Sequence, residues 1–171
     1  MRIKKLALCI LGLSALAASV TNTQAQSMQE DIRAQWATYI VVSSSVPRDQ
    51  LVSLAHDAGL AGAIIVLNGF PNKIISIHDV QIMISEINAA CCDRANQSRW
   101  VIDPKIAERY HVSAVPSFVI ARGESARDGD FSVITGDMDL ANALKSFAQR
   151  SGIYAIRQRA MAVYQHAFVT P

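Results

Sequence analysis

What most constrains the fold is an alternation of short, unbroken apolar runs with longer segments whose apolar residues recur at helical spacing. Ala37 to Ser43 (ATYIVVS) and Ala63 to Leu67 (AIIVL) are rich in β-branched residues, as suits strands buried on both faces. Between them Leu51, Leu54, Ala55 and Ala58 form one stripe at i, i+3, i+4, i+7, the apolar face of a helix. That helix is expected to start at Ser45-Val46-Pro47, with Ser45 as N-cap, and Gly59 and Gly62 bracket its end. Asn68-Gly69 and Pro71-Asn72 close the second strand. A second helix is predicted from about Ile77 to Ala90, with Val80, Met83, Ile84 and Ile87 inward. Arg99 to Ile102 follows as a short strand, and Asp103-Pro104 opens a short helix ending near Tyr110-His111. Val115 to Ile120 and Phe131 to Thr135 form a hairpin across a polar turn, and a last helix turns Leu140, Leu144 and Phe147 inward.

Read in order, the elements are β-α-β-α-β-α-β-β-α. Parallel βαβ units come first, then an antiparallel hairpin and a closing helix. This places the chain in the α/β class, as a thioredoxin-like three-layer sandwich. The segment Val112-Ser-Ala-Val-Pro116-Ser-Phe-Val-Ile120 resembles the V-x-x-V-P-x-F-V stretch of thioredoxin-like proteins. The resemblance implies a cis peptide bond before Pro116, although few X-Pro bonds are cis in general.

The N-terminus carries the marks of export. Met1-Arg-Ile-Lys-Lys5 is basic, Leu6 to Val20 is an uncharged apolar run, and Thr23-Gln24-Ala25 supplies small residues for cleavage after Ala25. The run is too short to span a bilayer comfortably, so no stable membrane insertion is expected after cleavage. The expected organisation is a signal peptide over 1–25, a lead over 26–36, the domain over 37–150 and a tail over 151–171. Arg2, Lys4 and Lys5 leave with the signal, so 16 basic residues fall to 13 against 14 acidic ones, a net charge of −1. No overall positive field remains to argue for direct nucleic-acid binding. The charge is uneven, however: every acid lies at or before Asp139, while Lys145, Arg150, Arg157 and Arg159 follow it.

Cysteine usage restricts the chemistry. Cys9 is lost with the signal, leaving the adjacent Cys91 and Cys92 and no C-x-x-C pair. Redox proteins of this fold place a nucleophilic cysteine where the first helix begins, and a resolving cysteine three residues on. Here that region reads Ser43-Ser44-Ser45-Val46-Pro47-Arg48, whose hydroxyls cannot form a disulfide. For Cys91 and Cys92 the readings are a small packed residue beside a half-exposed one, candidate interchain thiols, a vicinal disulfide, or a metal site. His56, His78, His111 and His166 lack the i, i+3 or i+4 spacing of helix-borne metal ligands, and no G-x-S-x-G elbow surrounds the serines. No catalytic residue, metal or cofactor is expected.

A longer resemblance joins these segments. Tyr39-Ile-Val-Val-Ser-Ser-Ser-Val-Pro47, Ala63-Ile-Ile-Val-Leu-Asn-Gly69, Val101-Ile-Asp-Pro104, Arg109-Tyr-His-Val112 and Ala114-Val-Pro-Ser-Phe-Val119 occur in one order and spacing. Together they resemble the TrbC family of F-type conjugative transfer systems, over roughly residues 38–149. Val46 stands where members often carry methionine, and the Cys91-Cys92 pair and the tail lie outside the pattern. The resemblance implies a periplasmic assembly factor for the conjugative pilus and type IV secretion apparatus, acting through protein contacts with TraW-like partners. The alternatives are a periplasmic thiol-disulfide oxidoreductase or a general chaperone. In the tail, Tyr154, Arg157 and Tyr164 are candidate partner-binding residues among Ile156, Met161, Val163 and Phe168. If the tail docks on a partner, a chain truncated after Gln149 stays folded and soluble.

Overall fold

The β-branched run forms β1 (Trp36–Val42), which lies at the centre of a five-stranded sheet ordered β3-β2-β1-β4-β5. The computed structural model describes residues 36–43, 45–69 and 76–169; the expected signal peptide, nearly all of the lead, Ser44 and Pro71-Asn72 lie outside them. In chain order the further elements are α1 (Arg48–Ala61), β2 (Ile64–Leu67), α2 (Ile77–Cys91), β3 (Arg99–Val101) and α3 (Pro104–Arg109). After these come β4 (Ser117–Arg122), β5 (Phe131–Thr135), α4 (Leu140–Arg150), α5 (Tyr154–Tyr164) and a final π-helical turn, Gln165–Val169.

β1 pairs in parallel with β2, and β2 with β3, whereas β4 runs antiparallel to both β1 and β5. A βαβ unit and a returning hairpin joined through one antiparallel strand make the thioredoxin-like arrangement. Strand alternation sends Ile40, Val42, Ile65, Leu67, Phe118 and Ile120 to one face, where they meet Leu51, Leu54, Leu144 and Phe147 of α1 and α4. Tyr39, Val41, Val66 and Val119 point the other way, against Ile106, Ala107 and Tyr110 of the short α3 region. Tyr110 is fully buried there, between the rings of Tyr39 and Phe131 at 5.8 and 5.2 Å. The result is three layers, thick on the α1 side and thin on the α3 side.

The helix ends follow local chemistry, with one correction. Asp103 caps α3 by accepting from the Lys105 N–H at 2.9 Å, with Pro104 in the first turn, as the sequence predicts. Ser45 does not cap α1. Pro47 holds that position without a side-chain hydrogen bond, and the Ser45 hydroxyl turns to Ser43 instead. Ser76 and Asp79 form a capping box on α2. Gly59 lies within α1, where a Cβ would meet the Asn96 carbonyl; Gly62, at φ 62°, is the left-handed cap that ends the helix.

The larger correction concerns the tail. Ile156, Ala160 and Val163 recur at i, i+4, i+7 on α5 and are buried in the same core as Leu144 and Phe147. Phe168, in the closing turn, packs against that core as well. The structure therefore makes residues 151–169 a layer of the domain rather than a free docking segment. The physical reason is area: burying a side chain the size of Ile156 or Val163 contributes about 1.5–3 kcal/mol, and Leu144 and Phe147 of α4 share the cluster that takes them in.

Candidate functional site

The end of the sheet where β1 exits is where this fold ordinarily carries chemistry. The register pairs Val41 with Ser117, so the turn after Val42 lies beside the entry to β4. The Val115–Pro116 peptide there is cis, Pro116 is buried, and Val115 packs between the two apolar clusters. The Pro116 carbonyl accepts from the Gly136 N–H at 3.1 Å, and the Ser117 hydroxyl is shared between the Ala114 carbonyl and the Thr135 hydroxyl, both at 2.6 Å. Across from it, the Ser43 and Ser45 hydroxyls lie 2.8 Å apart, and the Val46 N–H donates to the Ser43 carbonyl at 3.2 Å. Val46 is buried, Pro47 follows, and α1 begins at Arg48.

Chemically this end is neutral and self-satisfied. Its hydroxyls bond one another and the backbone, and no base is hydrogen-bonded to either serine among the described residues. The nearest titratable group on α1 with a displaced pKa is Asp57, further along the helix. Burial pushes its carboxyl up, and the Leu140 N–H, donating at 3.2 Å, holds it partly back. Asp57 thus joins α1 to the start of α4, a role that its place on the helix does not announce. Gln50 donates to Asp137 across the same junction.

The other singled-out residues lie apart from this end. Cys91, the last residue of α2, and Cys92, its C-cap, are bonded to each other. The backbone changes from helical to extended at Cys92, and this brings neighbouring sulfurs within bonding reach. The expectation of interchain thiols is corrected accordingly: with both sulfurs in one bond, neither is free for a partner subunit. Among the candidate partner-binding residues, Tyr154 is 66% exposed and carries the Arg157 guanidinium 5.5 Å from its ring centre. Arg157 also donates to the Ser151 carbonyl at 2.7 Å, tying the α4–α5 corner. Tyr164 is partly buried against the core beneath Lys145, so it does not share a patch with Tyr154. No group of three metal-ligating side chains, and no helix long and apolar enough to cross a membrane, occurs among the described residues.

A further feature has no counterpart in any sequence motif. At the opposite end of the sheet, where β1 enters, a pocket of about 340 Å³ is lined by Trp36, Gly62, Arg99, Gly123 and Arg159, among others. The basic character of the tail was visible in sequence, but not that one of its arginines would join Arg99 across the domain.

Two solved structures resemble this chain. One is dsbF of Mycobacterium tuberculosis in its mixed oxidized and reduced forms, at 12% identity and TM-score 0.42, covering 78% of this chain and 84% of that one. The other is a secreted Mycobacterium tuberculosis disulfide oxidoreductase homologous to E. coli DsbE, at 15% identity and TM-score 0.41, covering 78% and 85%. No curated protein matches the chain in sequence. The family model for type-F conjugative transfer system pilin assembly proteins matches residues 40–147, from Ile40 in the central strand through the Val115–Pro116 turn to Phe147 in α4. This chain belongs to the family of type-F conjugative transfer system pilin assembly proteins.

Proposed function

We propose that this chain is a non-catalytic assembly factor of the conjugative pilus and its type IV secretion apparatus, working in the periplasm through protein–protein contacts. The observation that carries the reading is the hydroxyl-only turn at the start of α1, set in a chain of this family. Thiol-disulfide exchange needs a thiolate there, stabilised by the helix N-terminus, and a second sulfur to resolve the mixed disulfide. Ser45 and Arg48 occupy those two places. Cys91 and Cys92 sit instead at a helix C-terminus, where the helix field disfavours a thiolate. The basic, apolar and small-residue order of residues 1–25 supports export, and the net charge of −1 beyond them supports protein rather than nucleic-acid partners. A TraW-like protein of the same transfer system is the first partner to test.

The test is affinity capture of the exported protein from cells carrying a whole transfer region. Recovery of secretion-channel and transfer proteins is expected. Broad recovery of unfolded exported proteins would point to a general chaperone instead, and insulin reduction by the purified protein would restore the oxidoreductase reading.

A further inference from the structure

The pocket at the entry end of β1 has an electrostatic asymmetry that the described residues leave uncompensated. Arg159 sits on α5 three residues after Ile156 and four before Val163, on the flank of that helix's buried stripe. The core contacts of those neighbours hold its side chain against the domain, and it lines the pocket beside Trp36 and Gly62. Its Nε is sealed from solvent and has no hydrogen-bond partner among the described residues. A buried guanidinium donor left unpaired is unfavourable, and proteins ordinarily match it with a carbonyl or an acid. Among the described residues the one acid on the lining does not serve: Glu124 is largely exposed and turns to Arg109, 3.9 Å away. Arg99, at the start of β3, adds a second guanidinium to the same wall and makes no ion pair among the described residues. Gly62 and Gly123 leave the mouth open, since a Cβ at either would touch nothing within 4 Å.

We propose that this pocket receives the carboxylate of an acidic side chain presented by a partner protein of the transfer apparatus, Arg159 and Arg99 holding it between them. The partner's identity rests on the assembly reading; the pocket's chemistry does not. An arginine fork offers paired N–H donors that match a carboxylate, and partial enclosure strengthens the pair over its value in water. A polyanion such as DNA or an anionic membrane would call for a broad basic surface, and the exported chain carries a net charge of −1. Two arginines set among Trp36, Tyr39 and Ile64 suit instead one isolated negative group on an otherwise neutral chain. Arg159 lies beyond the matched family region of residues 40–147, so the site is completed by the segment that follows it.

The full exported chain, labelled with ¹⁵N-arginine, is titrated with the blocked tripeptide acetyl-Gly-Glu-Gly-amide, its Gln counterpart, sodium acetate and inorganic phosphate. The Arg159 Nε–Hε resonance is expected to shift saturably with the Glu peptide, with affinity about tenfold lower for the Gln peptide. In Arg159→Gln, which lacks that resonance, the Glu peptide is followed on the Arg99 Nε–Hε instead, and its saturable shift should be lost. Arg99→Ala, at an exposed position that leaves the core untouched, should weaken binding severalfold with an unchanged melting temperature. Equal affinity for acetate or phosphate, or equal response to both peptides, would overturn the proposal of a peptide carboxylate. So would Arg99→Ala binding the Glu peptide as tightly as the wild type. In affinity capture from cells with the transfer region, Arg99→Ala should recover fewer transfer proteins than the wild type. Unchanged recovery would overturn the docking role and leave the assembly reading standing, whereas no recovery by the wild type would count against that reading itself.

Discussion

The two ends of the sheet differ in what they leave unsatisfied. At the exit of β1, Ser43, Ser45, Ser117 and Thr135 bond one another and the backbone, and Val46, Pro47 and Val115 fill the rest with apolar surface. At the entry of β1, two arginines face a 340 Å³ pocket and the nearest acid leans away. The exit end presents hydroxyls that are already hydrogen-bonded, and the entry end presents a charged, open pocket. The difference lies in side chains rather than in the fold: one sheet supports both ends, and a few residues set the chemistry that each presents.

The sharpest way to break this comparison is to remove the helix that supplies Arg159. Truncation after Gln149 deletes Ile156, Ala160, Val163 and Phe168 from the core. The loss approaches the whole stability of an ordinary domain, about 5–15 kcal/mol. An insoluble or unfolded product by circular dichroism is expected. A folded, soluble one would return the tail to the status of a free docking arm and dissolve the charged end with it.

A second intervention restores sulfur at the closed end. The wild type should reduce insulin no faster than buffer with dithiothreitol. The double variant Ser45→Cys, Arg48→Cys should do so measurably, because the new thiols stand at the start of α1 where the helix field lowers a thiol's pKa. Activity in the wild type would transfer attention to Cys91 and Cys92.

Smaller effects sharpen the picture of the scaffold between the two ends. Gly59→Ala pushes a Cβ into the Asn96 carbonyl, so the loop after Cys92 must move. The expected net loss is about 1–3 kcal/mol in denaturant melts, despite alanine's better helix propensity. A neutral result would mean that this loop stands off α1.

The smallest effect concerns Asp57. Burial raises its folded pKa above the unfolded value, so its contribution is fully present below the unfolded carboxylate pKa and is lost as pH rises through the raised one. Asp57→Asn keeps an acceptor for the Leu140 N–H and removes the ionisation. Thermal melts across pH should show the variant gaining on the wild type as pH rises through that window, and matching it at lower pH. A variant that instead loses ground as pH rises would show that the carboxylate's hydrogen bond outweighs its desolvation.

The sequence by itself determined the order of elements from β1 to α4 and the absence of a C-x-x-C pair. Both depend on local or compositional facts: β-branched runs form strands, Asp103-Pro104 starts a helix, and a serine cannot become a disulfide. Even the stripe of Ile156, Ala160 and Val163 was present in the tail, but its partner surface was not legible, because a 3.6-residue period says that a face is buried without saying against what. Tertiary structure decided that this face closes the domain's own core. It decided too that Cys91 bonds to Cys92, since the helix ends between them, and that Asp57 reaches Leu140 rather than solvent. Above all it brought Arg159 across to Arg99, 60 positions earlier in the chain. A shared pocket of that kind arises from the packing of α5 beside the sheet's entry end, and no spacing along the sequence encodes it.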